Sequence, residues 1–462
     1  MSNAIQSARD HYVGKTYQDI ALADGNDVPA VLRERSNPPQ ATTNIPFSRY
    51  TDRAFFDLEM KKMWRRVWQY ACREEHVPET GDYYVYDIGR HSVIIVRTDS
   101  GLRAYHNSCL HRGTKLKPSG GTGWSGSIQC PYHGWHWNLD GTLRNIPCDW
   151  EFPHLNKDTA QLPQARVESW NGFIFVNLSA KGPTLNDYLE VLPQHFQQWD
   201  LTGWYVHTHV QKRLPANWKL AQEAFMEAYH TPMVHPEMTH VVSDVNMQHD
   251  VFTDHISRDL CAMASPSPTS ALNQSQQELL DKMLVGDRST ITQKPEVPEG
   301  KTARWVMAKQ LREQMARDFG LDYSGHSVPE MIDSLKYNVF PNLFIYPSVG
   351  LPLIYQFRPD GYDHDNCLFD QMILRPKPKD GSSYQVADVV RINENESYAT
   401  AKDMDPFLAQ VLDQDTNIMR WQREGMYASE KGAETLSIYQ ESRIRHMHAT
   451  LDKYLNSRDG AL

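Results

Sequence analysis

The sequence predicts an α+β protein: a small all-β module ahead of a larger domain in which helices pack on an antiparallel sheet. From about residue 81, short segments rich in Val, Ile and Tyr follow one another between Gly or Asp-Ser-Gly turns (DYYVYDI, SVIIVR, LRAYHN, then GSIQC, HGWHW and GFIFVNL). Such punctuated runs read as a series of strands. Beyond about residue 180 the pattern changes. Helical segments around 185–199, 216–231, 303–319 and 405–427 alternate with the β-rich WYVHTHV, NLFIYP, LPLIYQF and CLFDQMILRP, as in a domain of layered helices and sheet.

In chain order, residues 1–45 are polar, end in NPPQATTNIP and read as an arm. DRAFFDLEMKKMWRRVW follows, with Phe55, Phe56, Met60, Met63, Trp64 and Trp68 at the spacing of an amphipathic helix. The β module is assigned to 46–180, with Asp140-Gly141 as a hairpin turn, and the larger domain to 181–462. The Ser-, Pro-, Gln- and Lys-rich stretch 262–302 reads as a surface loop or lid.

Composition excludes several classes. Lys plus Arg is 47 and Asp plus Glu is 57, a formal charge of −10, which argues against nucleic acid or an anionic membrane as partner. No stretch approaches the ~18 apolar residues of a spanning helix. The first twenty residues lack the apolar centre of a signal peptide, so a cytoplasmic location is expected. Six cysteines are too few and too scattered for a disulfide framework; those beside histidines read as metal ligands.

The strongest motif is NSCLHRGTKLKPSGGTGWSGSIQCPYHGWHW: Cys109-x-His111, eighteen residues, then Cys130-x-x-His133. Two loops would each supply one thiolate and one imidazole. That is the ligand set of a Rieske [2Fe-2S] centre, where both cysteines bind one iron and both histidines the other. Gly113, Gly120, Gly121 and Gly134 permit the turns, and Trp135 and Trp137 stand where they would shield one side from water. A Cys₂His₂ zinc site is the rival, although zinc fingers usually pair Cys with Cys and His with His locally.

The second motif is NWKLAQEAFMEAYHTPMVHPE, residues 217–237. Glu227 and His230 are three apart, which a helix places on one side. His230 and His235 are five apart, but Pro232 and Pro236 disfavour a continuous helix, so His235 can swing back towards the same metal. Two histidines and a carboxylate on one face are the ligand set of non-haem Fe(II) oxygenases.

From about residue 48 to its end the chain resembles Rieske non-haem iron oxygenase alpha subunits, through the N-x-C-x-H-R-G run at Asn107–Gly113, C-P-x-H-G-W at Cys130–Trp135 and the 217–237 segment. Respiratory Rieske proteins are less similar: they carry two further cysteines where this chain has Thr114 and Tyr132. The resemblance implies a Rieske domain placed before a START-like catalytic domain. It makes His230 and His235 the ligands of a mononuclear Fe(II), with a third from Asp415 in LDQDTNIMRWQREGM or, failing that, Asp413. Glu227 takes the place of an acidic residue that bridges cluster and iron; many relatives have Asp there, and Glu occurs in a subset that includes quaternary-amine oxygenases. Ala224 departs from the Asn that many relatives carry.

The activity so implied is insertion of oxygen from O2 into an aromatic or hydrophobic small molecule, by hydroxylation or oxidative dealkylation. The alternatives are a quaternary-amine monooxygenase and an electron carrier without oxygenase activity. The chain has no G-x-G-x-x-G on a βαβ unit, so NAD(P)H electrons would arrive through a reductase, with or without a ferredoxin. The resemblance also implies a homotrimer. Phe225, Met226, Met233, Met238, Phe344, Tyr346, Leu351 and Leu353 are candidates for an apolar substrate cavity.

Overall fold

The Val/Ile/Tyr-rich run folds as residues suited to a half-buried pleated surface do. In the computed structural model, which describes residues 14–25, 28–36, 38, 41–270, 273–285, 295–379 and 382–457, Asp82–Ile88, His91–Thr98 and Gly101–His106 pair antiparallel, and Thr122–Trp124 joins Asp82–Ile88 at its other edge. Ile128–Gln129, His136–Trp137 and Leu143–Asn145 make a second small sheet, its last two strands joined through the predicted Asp140-Gly141 turn. A third sheet pairs Arg166–Trp170 with Phe173–Asn177 and Phe173–Asn177 with Gln69–Arg73. Val85, Ile94, Val96, Tyr105, Trp135 and Trp137 form one buried cluster that includes Cys109 and Cys130.

The predicted 52–68 helix is shorter than its periodicity suggests. Asp52 caps it by accepting the Ala54 N–H, and it runs over Arg53–Lys62 only. The chain must then turn to bring Gln69–Arg73 beside Phe173–Asn177. Met63, Trp64 and Trp68 stay fully buried beyond the helix end, Trp64 edge-on to Trp218 at 5.1 Å. The 185–199 segment is likewise broken into Leu185–Leu189, Leu192–His195 and a 3₁₀ turn at Phe196–Gln198.

The larger domain is built on eight strands in the order Gln248–Val251, Ile256–Cys261, Ser334–Val339, Leu343–Ile345, Leu353–Pro359, Cys367–Pro376, Trp204–Leu214 and Val390–Ile392. Every neighbouring pair is antiparallel except the last. Its helices include Trp218–Glu223, Ala303–Phe319, Pro406–Ala428 and Ser442–Asn456. The last was not foreseen, although Ile444, Met447, Leu451 and Leu455 recur at helical spacing and are buried. The described part of the N-terminal stretch lies against this domain: the Tyr17–Ala23 helix places Tyr17 Oη 3.1 Å from Asp333 and Gln18 Nε2 2.8 Å from Gln248. The loop or lid assigned to 262–302 contains a helix, Gln276–Val285; its residues 271–272 and 286–294 lie outside the described residues. Among the described residues no helix is long and apolar enough to cross a membrane.

The cavity candidates divide. Met226 and Phe344 are fully buried and Leu353 nearly so, whereas Met233 is 86% exposed. Phe225 packs 5.1–5.4 Å from the rings of Phe369, Tyr355 and Phe357, an aromatic layer against the sheet.

Candidate metal centres

The two Cys/His loops share one backbone design. Cys109 N–H donates to Thr114 O and Gly113 N–H donates back to Cys109 O; Cys130 N–H donates to Trp135 O and Gly134 N–H to Cys130 O. Gly113 and Gly134 have φ of +75° and +73°, left-handed values that strain any residue with a Cβ. Each loop therefore closes around its cysteine four to five residues on. Cys109 and Cys130 are buried, and burial pushes the Cys109 thiol up, opposed by the His111 N–H, 3.5 Å from its Sγ. The His111 and His133 rings lie 4.6 Å apart, and Trp135 stacks on His111 at 5.2 Å, within 3° of parallel.

These residues fit a two-iron cluster better than zinc. The His111 Nδ1 is buried without a hydrogen-bond partner, an expensive state unless it binds something. Among the described residues, the set of three or more His, Cys, Asp and Glu whose ligand atoms fall within 4.8 Å of one another is His230, His235 and Asp415. The Cys/His quartet does not gather so tightly. A tetrahedral zinc would draw all four ligand atoms to one point, whereas a cluster of two irons holds the thiolates and the imidazoles apart.

In the 217–237 segment the helix covers only Trp218–Glu223, so no helix sets Glu227 beside His230 as predicted. A turn does so instead: the Glu227 carboxylate accepts the backbone N–H of Tyr229 and of His230 (3.2 Å), and its Oε1 lies 2.6 Å from His230 Nδ1. Pro232 is one reason, since it has no N–H for the Ala228 carbonyl and its ring would clash there in a continuous helix. The chain re-enters a short helix at Thr231–Val234, and His235 follows immediately. This is the swing expected of the two prolines.

Asp415 comes from the middle of the 23-residue Pro406–Ala428 helix, close to the 405–427 segment that the sequence predicts. Its Oδ1 lies 2.8 Å from His235 Nε2 and 3.3 Å from His230 Nε2. Burial works against charge on His230, but the Asp415 and Glu227 carboxylates outweigh it and hold this imidazole at about 10. Two carboxylates facing one imidazole make a local field that favours a bound cation. Asp413 is engaged elsewhere, with Ser397 Oγ, Tyr398 N (3.1 Å) and Lys212 Nζ (3.4 Å).

One residue of the site was missed. Gln414 Oε1 lies 2.8 Å from His235 Nδ1, and its Nε2 is held 2.8 Å from Glu237. Each histidine thus turns Nε2 inward and hands Nδ1 to an outer acceptor, the arrangement that fixes tautomer and ring orientation at metal sites. Replacing Gln414 with Leu is expected to weaken metal retention by about 10- to 100-fold, read by chelator competition. Only its position beside Asp415 hinted at this role.

Behind the segment, Tyr50 Oη lies 2.9 Å from Glu223 Oε1 and 3.0 Å from Glu434 Oε2, and His448 Nε2 is 2.8 Å from Glu223. Burial pushes Glu223 up from 4.5 to about 8, and burial together with Glu223 pushes Glu434 to about 9. Folded carboxyls stay protonated while unfolded ones ionise, so their stabilisation is full below about pH 4.5 and is lost as pH rises through 8 to 9. In denaturant titrations, Glu223→Gln is expected to flatten the decline of stability between these limits.

Comparison with known proteins places both halves. The ring hydroxylating alpha subunit (catalytic domain) profile matches residues 196–457, and the Rieske [2Fe-2S] domain profile residues 67–161. The chain is 30% identical over 246 residues to the glycine betaine monooxygenase oxygenase subunit of Chromohalobacter salexigens, covering 53% of this chain and 54% of that protein. It is 34% identical over 188 residues to the biphenyl 2,3-dioxygenase subunit alpha of Rhodococcus jostii, covering 39% and 41%. The chain thus matches about half the length of these curated relatives or less. A solved quaternary ammonium Rieske monooxygenase has the same fold, with a TM-score of 0.63 at 18% identity over 91% of this chain and 97% of that one. The catalytic-domain match alone spans more than half of the sequence: the chain belongs to the ring-hydroxylating alpha subunit family, with a Rieske [2Fe-2S] domain ahead of its catalytic domain.

Proposed function

We propose that the chain is the terminal oxygenase component of a multicomponent Rieske oxygenase. It would use O2 and NAD(P)H-derived electrons to hydroxylate or oxidatively dealkylate an aromatic or hydrophobic small molecule. One observation carries this reading: a single chain presents a Cys/His quartet on twin loops and, separately, two imidazoles converging on one buried carboxylate. Cys109, Cys130, His111 and His133 would hold the cluster, and His230, His235 and Asp415 the mononuclear Fe(II). When bound, these groups supply electron storage and open coordination positions at which O2 is activated.

The chain's own residues position and insulate. Glu227 and Gln414 hold the Nδ1 protons of His230 and His235, so both Nε2 atoms face Asp415. Trp135 covers one face of His111, while His133 stays partly open to solvent. In a homotrimer, Glu227 would bond its own His230 and the partner's His133, carrying an electron between copies. A reductase, with or without a ferredoxin, would supply electrons in the cytoplasm, and breakdown of aromatic compounds is the setting that suits this chemistry.

A quaternary-amine monooxygenase is the second reading, favoured by Glu rather than Asp at 227 and by the glycine betaine relative. Iron analysis tests the class: an oxygenase holds about three irons per chain, and an electron carrier about two. Oxygen uptake with reductase over a panel of aromatics, aryl ethers, N-alkyl amides and quaternary amines tests the substrate. Formaldehyde release marks demethylation and a cis-diol marks ring attack; uptake with no member of the panel would sink the proposal.

A further inference from the structure

The turn that brings Glu227 to His230 leaves a backbone account to settle. In a continuous helix the carbonyls of Phe225 and Met226 would accept the N–H groups of Tyr229 and His230, four residues on. Both of those N–H groups instead donate to the Glu227 carboxylate. Two carbonyls in a buried stretch thereby lose their donors, and buried carbonyls seldom go without one.

Two cations from distant parts of the chain supply the donors. Lys336 Nζ donates to Phe225 O, and Arg443 Nη1 to Met226 O at 3.2 Å. Lys336 stands on the Ser334–Val339 strand directly opposite Asp259 of Ile256–Cys261, and Arg443 lies at the start of the Ser442–Asn456 helix. The Asp259 carboxylate bonds both: its Oδ2 is 3.1 Å from Lys336 Nζ and also accepts from Arg443 Nη1. Arg443 Nε reaches Ser257 Oγ at 3.2 Å, which fixes the guanidinium in its plane. Asp259 and Arg443 are fully buried and Lys336 nearly so.

Stability alone does not account for such a group. Two buried cations against one carboxylate cost more desolvation than apolar side chains of the same volume. Their placement matches the two carbonyls that the Glu227 turn strands. We propose that Lys336 and Arg443, anchored by Asp259, are positioning residues that hold the 224–230 segment out of helix, so that Glu227 can grip His230. This rests on the oxygenase reading above. With either donor removed, the segment gains by closing helical bonds from Tyr229 and His230 back to the freed carbonyls, and Glu227 is drawn off the imidazole.

The test is a double-mutant cycle in the full-length protein, reconstituted with iron and assayed with a reductase. Lys336→Met is expected to keep iron content while lowering single-turnover electron transfer from reduced cluster to second iron by about 10- to 100-fold. KM for substrate should change little, and Lys336→Arg should restore most of the rate. In a Glu227→Gln background the same Lys336→Met change should add almost nothing, because it acts through Glu227. Additive effects, an unchanged Lys336→Met rate, or a loss of activity that only tracks lost iron would overturn the proposal. If Lys336→Met does not fold, Arg443→Lys, which keeps the charge but not the reach to Met226 O, is read by the same criteria. Should Glu227→Gln itself be fully active, the oxygenase role of Glu227 fails first; an impaired Glu227→Gln beside an unaffected Lys336→Met sinks only the positioning role.

Discussion

Glu227→Gln is expected to retain both metals and lose turnover by at least about 100-fold. The carboxylate serves three donors at once: the N–H groups of Tyr229 and His230, and His230 Nδ1. Gln has one acceptor oxygen and an NH2 group that can only donate. At least one N–H would then face another donor, at a cost of about 1–3 kcal/mol. The turn would relax and the His230 ring would lose its anchor, although the Cys/His loops and the His235–Asp415 pair are untouched. Iron analysis with steady-state oxygen uptake checks this; full activity in the variant would remove Glu227 from the mechanism.

Asp415→Ala is the second large effect. Both Nε2 atoms converge on this one carboxylate, and its removal leaves two imidazoles, one short of the three ligands of a facial site. Iron is expected to fall from about three to about two per chain, with the visible spectrum of the cluster intact and oxygen uptake abolished. A third iron retained in this variant would place the carboxylate ligand elsewhere. The mirror change, Cys130→Ser, is expected to bleach the cluster spectrum and leave mononuclear iron in place.

Local chemistry explains what was legible beforehand. The cluster loops read clearly because their information is contiguous: each cysteine, its histidine and the glycine that closes the turn lie within six residues. His230 and His235 read almost as well, since the prolines between and after them forbid the regular helix that would separate them. The reason offered for Glu227 was wrong although the contact is real. Three-residue spacing suggested a helix, whereas a side chain capturing two backbone N–H groups made a turn instead. Met233 was misread as a cavity residue because apolar character does not fix which way a side chain faces, and here it faces water.

By itself the sequence determined which atoms can bind metal and how each loop bends, because thiolates, imidazoles, glycines and prolines impose their constraints over a few residues. Tertiary structure alone decided which carboxylate meets the histidines: Asp415 rather than Asp413, neighbours that a helix turns to different sides, one towards His235 and the other towards Lys212 and Ser397. It also decided that Gln414 meets His235 and that Lys336 and Arg443 meet the Phe225 and Met226 carbonyls. Their partners stand 179, 111 and 217 residues away in the chain, and proximity across such separations is set by how the sheet and helices pack, which no local pattern records.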